Sequence, residues 1–300
     1  MTTLIFIPKR GFPGNHVSSF SRHIPHALLV GAIVLLLFAA APLAAQSRAP
    51  RSLGCRPNTA MFQQGEELTY EVSYLGMGLG TIRTRVTRVQ RRDGGIRVAM
   101  EGLIRTYRGV PFVTLNTLFQ SQVGSSLQSI AFRNTEYLRD DTVYKHISYT
   151  FAPEKDEVYI SETVDDNPFW VRDDTLDLEG KHWQDGLSLL FYARAYAHAT
   201  CRRKVPVLMY RSKAVTTINF GVEREEMDID AVDDDIRTVK LEGETGFTGI
   251  FGLTGGFEGW FSDDVAAVPI SAKMHVLIGS VYIELVKWKR SGWSPPLVKD

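Results

Sequence analysis

The sequence is thin in the residues that carry recognisable chemistry, and each shortage excludes something. Two cysteines in 300 residues are too few for a cysteine-rich zinc module or a dense disulfide scaffold. Lys plus Arg and Asp plus Glu balance at 34 each, which leaves no whole-chain field to recruit a polyanion. Nucleic acid is therefore not expected as a partner. Beyond residue 45 the histidines are His146, His182, His198 and His275, with no H-x-x-x-H or H-x-H spacing, so neither a metal nor another cofactor is expected. No G-x-S-x-G elbow and no phosphate-cradling glycine loop occurs. No catalytic residue can be assigned, and the chain reads as non-enzymatic.

What is present begins with an address. Residues 1–26 carry Lys9, Arg10 and Arg22 and no acid, and Ala27 to Ala41 is an apolar run of export-signal length. Pro42-Leu43-Ala44-Ala45 then offers small residues to a peptidase. A permanent span needs about 20 strongly apolar residues, and this run is shorter and Ala-rich. The expected organisation is a signal peptide over 1–45, a mature N-terminal segment over 46–60, a β-rich domain over 61–290 and a flexible tail over 291–300. The protein is expected in the periplasm or cell envelope, with no membrane span once the signal is cleaved. In that oxidising compartment Cys55 and Cys201 are expected to be bridged. The rival reading, Leu53-Gly54-Cys55 as an acylation box, is opposed by Arg48 and Arg51, which separate it from the apolar run.

From Phe62 onward the dominant signal is period-two alternation rich in Val, Ile, Thr, Tyr and Phe, broken by Gly, Asp, Asn and Pro clusters. Between Ile96 and Thr106, for example, Ile96, Val98, Met100 and Ile104 share one face while Arg97, Glu101 and Arg105 share the other. That is a half-buried strand. Strands are expected from Glu66 to Thr163 and again from Val205 to Lys289. The fold class is mainly β: a single antiparallel, strongly curved or barrel-like sheet.

One helix interrupts this pattern, over about 186–200. Asp185 is placed to accept from the backbone N–H of Leu187 or Ser188. The segment that follows is apolar almost all round, with Leu187, Leu190, Phe191 and Ala195 on one face and Tyr192, Ala193 and Tyr196 on the others. Such a helix must be buried. Gly76, Gly78 and Gly80 leave one side of an apparent strand bare, either as a bend or as a wall trimmed for a ligand. Gly246, Gly249, Gly252 and Gly255 recur among Phe247, Ile250, Phe251 and Leu253, as a rim loop or a packed crossover.

Three local patterns resemble the exported bacterial family known as domain of unknown function 3108. They are Phe62-x-x-Gly65-Glu66-x-Leu68-x-Tyr70, Asp185-x-Leu187-Ser188-x-x-Phe191-Tyr192-x-Arg194, and Gly259-Trp260-x-Ser262-Asp263-Asp264 with Pro269, Gly279 and Leu285 beyond. Phe191 stands where a tyrosine would be expected. The resemblance implies an exported β-rich fold and supplies no activity, ligand or catalytic residue. Arg194 on an apolar helix needs a carboxylate if buried, and Glu66, Asp263 and Asp264 are the candidates for a structural ion pair.

The expected function is binding of an apolar or amphipathic ligand, a lipid or envelope glycan, between sheet and helix. Trp183, Tyr192, Tyr196, Phe251, Phe257 and Trp260 are its candidate walls. Two other readings compete. One is a hydrolase using Asp263 or Asp264 with a histidine supplied by the fold; the other is a structural role in envelope assembly.

Overall fold

The computed structural model describes residues 55–110, 114–138, 140–164, 167–246, 255–276 and 278–298. The expected signal peptide, the segment 46–54 and Phe251 lie outside the described residues. Alternating burial produces two consecutive meanders. The first is β1 (Glu67–Tyr74), β2 (Met77–Arg92), β3 (Gly95–Thr106), β4 (Asn116–Val123), β5 (Ser129–Tyr137), β6 (Val143–Ala152), β7 (Glu157–Val164) and β8 (Asn167–Asp177). A connection containing helix α1 (Ser188–Tyr196) leads to β9 (Cys201–Met209), β10 (Ser212–Met227), β11 (Ile236–Thr245), β12 (Gly255–Ser262), β13 (Pro269–His275) and β14 (Ser280–Lys289).

Within each meander every strand pairs antiparallel with the one before it, and β14 pairs back on β1, from Glu67↔Lys289 to Tyr74↔Val281. The result is one sheet of order β8-β7-β6-β5-β4-β3-β2-β1-β14-β13-β12-β11-β10-β9. Its two edges are therefore β8 and β9, the strands on either side of the helical connection. The sheet is mainly β, antiparallel, strongly curved and not closed by backbone pairing.

The curvature has a physical cause in the core. The helical residues Phe191, Tyr192, Ala195 and Tyr196 share one buried cluster with Val86, Val98 and Val123 of β2–β4 and with Val207, Ile218, Val239 and Phe261 of β9–β12. Strands that far apart in the sheet order meet one helix only if the sheet wraps around it. A second cluster, Phe132, Tyr149, Phe151, Val158, Ile160 and Trp183, lies under β5–β7. A third joins Leu68, Tyr70, Ile270 and Leu285 beneath β1, β13 and β14.

The helix begins where Asp185 caps it. The Asp185 carboxylate accepts from the backbone N–H groups of Leu187 at 2.9 Å and Ser188 at 2.8 Å. The regular helix is shorter than expected at both ends: it starts at Ser188, and after Tyr196 the segment Ala197 to Thr200 turns into β9. Cys201 opens that strand and is bonded to Cys55, with the two Cα atoms 5.9 Å apart. The N-terminal segment thus crosses the helix, with Phe62 stacked on Phe191 at 6.1 Å and Asn58 donating to the Ala195 carbonyl.

Three sequence expectations change. β8 was not anticipated at all. Residues 291–298 are docked rather than loose: Leu297 bridges Ile236, Arg237 donates to Pro296 O, and Val298 donates to Asp235 O. Gly76, with φ +77°, lies in the β1–β2 turn and not in a strand. The ring of Tyr107 covers Gly78, and a side chain on Gly80 would fall 2.2 Å from the Arg105 carbonyl. The glycines therefore serve a turn and a close strand approach, and the bare wall is absent.

Candidate functional site

The geometry between helix and sheet decides whether the expected ligand wall exists. Trp183, Tyr192 and Tyr196 are buried there, but in two different clusters. Tyr192 lies 4.7 Å from Tyr196 by ring centroids, Tyr196 packs at a tilt against Phe220 at 5.6 Å, and the Arg203 guanidinium sits 4.9 Å over the Tyr196 ring. Trp183 donates its indole N–H to the Leu178 carbonyl at 2.7 Å. These aromatics are packed against protein atoms on each side. The tip of the Phe257 ring occupies the space that a side chain on Gly243 would fill.

Trp260 departs from expectation. Residues 257, 259 and 261 face the helix, so alternation turns Trp260 to the opposite face of β12. There its indole donates to Glu225, and Lys240 Nζ lies 5.4 Å over the ring. The expected wall residues that are described therefore do not line one space.

The carboxylates also sort themselves. Arg194 is fully buried and forms a two-pronged pair with Glu66, Nη1 to Oε1 at 2.5 Å and Nη2 to Oε2 at 2.8 Å, while donating further to Ala266 O. Arg290, just past β14, also donates to Glu66. Burial pushes the Glu66 carboxyl upward, but the two guanidiniums outweigh it and hold the group below the usual glutamate value. Asp264 takes no part in this pair: it accepts from Ser262, the backbone N–H groups of Ala266 and Ala267, and the Trp293 indole. It is a turn cap.

Asp263 binds Arg224 at 3.0 Å and lies 3.4 Å from His198. The histidine brought to Asp263 is thus His198, while His275 stands by Glu258 and His146 by Thr135. Asp185 accepts from Ser121 and Ser129, both at 2.6 Å, besides capping the helix. Burial raises its carboxyl above the ordinary aspartate range even against those donors. Its three serines, 121, 129 and 188, are buried with it and fix the helix start to β4 and β5. Among the described residues no group of three His, Cys, Asp or Glu side chains converges as a metal would require.

Sequence reasoning missed a surface feature. At one end of the strands, Leu75 (70% exposed), Met77 (55%), Tyr107 (44%) and Ile278 (72%) converge. The β1–β2 and β13–β14 turns meet there: the Cβ position of Gly279 is 3.7 Å from Leu75, and Tyr74 donates its hydroxyl to Ile278 O at 2.6 Å. The available signal was aliphatic residues beside turn glycines, Leu75-Gly76 and Ile278-Gly279, where polar residues are the norm.

Among the described residues no helix is long and apolar enough to cross a membrane. No curated protein matches the chain. Three solved structures are similar to it. A β-barrel-like protein of domain of unknown function DUF1849 from Brucella abortus is 13% identical with a TM-score of 0.46, over 75% of this chain and 97% of that one. A Bacteroides fragilis protein described as exported, with a YmcC-like fold, is 12% identical with a TM-score of 0.36, over 76% and 97%. A Parabacteroides distasonis protein described as a lipoprotein is 11% identical with a TM-score of 0.35, over 79% and 100%. The model of a family described as "Protein of unknown function (DUF3108)" matches residues 69–286, from β1 into β14 and so across nearly the whole sheet, and the chain belongs to that family.

Proposed function

We propose that this is a non-enzymatic, exported protein of the periplasm and cell envelope. It binds lipid through the end of the sheet that carries Leu75, Met77, Tyr107 and Ile278. The carrying observation is the contrast between this end and the interior. The aromatics beside the helix are already packed, whereas the aliphatic side chains at the strand ends have solvent as their neighbour. Apolar side chains are exposed elsewhere too, among them Val171 and Val265, but a cluster of them at one end marks a contact site. Leucine, methionine and isoleucine offer no flat platform for a sugar ring, which favours an acyl chain over an envelope glycan. Tyr74, Tyr107 and Tyr282 stand behind the tips, as amphipathic rings do where an apolar medium gives way to water.

Co-sedimentation with neutral phosphatidylcholine vesicles tests this. Burying two aliphatic side chains is worth about 1.5–3 kcal/mol each, so Leu75→Glu with Ile278→Glu is expected to lower partitioning by about a hundredfold or more while circular dichroism stays unchanged. Equal partitioning of variant and parent sinks the proposal. So does a parent that ignores vesicles but forms a dimer which the variant loses, because the end would then be a protein contact serving assembly.

A further inference from the structure

A separate feature lies on the outer face of the sheet, away from the apolar end. β2 and β3 direct Arg83, Arg85, Arg88, Arg92 and Arg97 outward, and all five are exposed. Strand alternation alone would turn Arg88 inward, because it follows Arg85 by an odd number of residues. A bulge between Val86 and Arg88 corrects this and sets Arg88 opposite Ala99, on the same face as Arg97. On the other flank Lys287 and Lys289 lie opposite Thr69 and Glu67, which in turn face Arg83 and Arg85.

These cations are bare. None of the five arginines forms an ion pair or side-chain hydrogen bond among the described residues, nor do Lys287 and Lys289. The face carries four carboxylates against these seven cations: Glu101 accepts from Gln120 at 2.9 Å, Glu284 stands opposite Glu71 and accepts from the backbone N–H of Asp230 at 3.1 Å, and neither Glu67 nor Glu71 forms an ion pair among the described residues. The contrast with β10–β13 is sharp. There Lys240 reaches Glu225 at 3.2 Å and Glu258 at 3.1 Å, and Lys273 reaches Glu258 at 3.7 Å. One part of the outer surface neutralises its charges internally, and the other keeps a row of positive charge whose self-repulsion opposes folding. One groove, of about 350 Å³, runs along that row and is lined by Arg88, Gln90, Arg97 and Gln122. A second, of about 370 Å³, lies at the β2–β3 turn, where Asp93 accompanies Arg91 and Arg92.

Strands spaced about 4.8 Å apart and rising about 3.3 Å per residue make this face roughly 15 Å by 30 Å. That is far wider than one phosphate and commensurate with several lipid headgroups side by side. We infer that the β14–β1–β2–β3 face docks on an anionic phospholipid surface, its guanidinium and ammonium groups set against headgroup phosphates. Charge complementarity carries this inference, which stands whether or not the apolar end binds acyl chains.

The test compares binding to phosphatidylcholine vesicles with and without phosphatidylglycerol. The anionic lipid is expected to increase binding, and added salt to remove the increase. Each basic residue near an anionic leaflet contributes about fivefold, so Arg83→Gln, Arg88→Gln and Arg97→Gln together are expected to reduce the increment by about a hundredfold. The matching triple Lys replacement retains most of it, which separates charge from a folding defect. Leu75→Glu with Ile278→Glu keeps the increment even if neutral binding is lost, so the two proposals fail separately. An increment that survives the triple Gln replacement or high salt overturns the inference. Capture of inorganic phosphate or duplex DNA without any vesicle increment also overturns it.

Discussion

Two seams hold this curved sheet together, and they are made of different things. At β1/β14 the first and last strands exchange backbone hydrogen bonds along their length. There Glu66, just before β1, clamps Arg290, just after β14, to Arg194 on the helix, all nearly water-free. At β8/β9 the strands share no ladder. The connection is stitched instead by Gln184, which bridges Val207 of β9, and by Trp183, whose carbonyl accepts from Ser129 at the start of β5. Arg211 then reaches across to Glu162 at 3.1 Å, Asp174 at 3.5 Å and the Arg172 carbonyl at 2.9 Å. Two edges can thus be held in register by side chains where geometry stops the backbone from closing, but such a seam is wetter and more open to salt.

Breaking the best-protected parts should have the largest effects. The disulfide ties the N-terminal segment to the start of β9, closing a loop with a sequence separation of 146. In the chain-entropy account its removal by Cys55→Ser with Cys201→Ser costs roughly 4–5 kcal/mol, read from the urea midpoint. At the β1/β14 seam, Glu66→Ala leaves two guanidiniums without their carboxylate and is expected to cost about 3–5 kcal/mol. A loss under about 1 kcal/mol would mean that water or rearrangement already shares that charge. The pH dependence has a definite sign. The folded-state value of Glu66 is depressed, so its contribution is complete above the ordinary value of 4.5 and is lost as pH falls through the lower folded value. Glu66→Gln is expected to flatten that acid arm of the stability curve.

The difference between the seams also explains what could be read in advance. Strands such as β3 and β7 alternate cleanly because one face is core and one is wet, and helix α1 announced itself through Asp185 and an apolar surface that had to be buried. β8 did not, because Arg172, Asp173, Asp174 and Asp177 give an edge strand the composition of a loop. The docking of 291–298 combines backbone bonds, Arg237 to Pro296 O and Val298 to Asp235 O, with isolated side-chain anchors, the Trp293 indole on Asp264 and Leu297 against the core, and no periodic pattern marks such a segment. The aromatics were legible as buried, but no periodicity distinguishes a filled core from a pocket wall. The pairing of Glu66 with Arg194 emerged from need: a buried guanidinium requires a carboxylate, and the candidates were few. The unpaired arginines escaped notice because whole-chain neutrality hides segregation of charge across strands.

The side-chain seam supplies the smaller tests. Arg211→Ala removes its central cation and is expected to cost about 1–2 kcal/mol. Amide exchange should rise selectively in β8, and high salt should shrink the difference between variant and parent. An unchanged β8 would mean that the 178–186 connection alone keeps the edges together. Smallest is the outer stitch, where Lys213 binds Glu179 at 2.7 Å beside Lys181 at 2.5 Å. Hydrogen bonds from Lys181 and Lys213 hold the Glu179 carboxyl down to about 2. In Lys213→Ala the urea midpoint should stay in place, since the pair is solvent-washed. A carboxylate titration followed by NMR should move Glu179 upward toward 4.5 without reaching it, because Lys181 remains. If Glu179 titrates as before, Lys213 does not reach across in solution, and the β8/β9 seam depends on Arg211 and the 178–186 backbone alone.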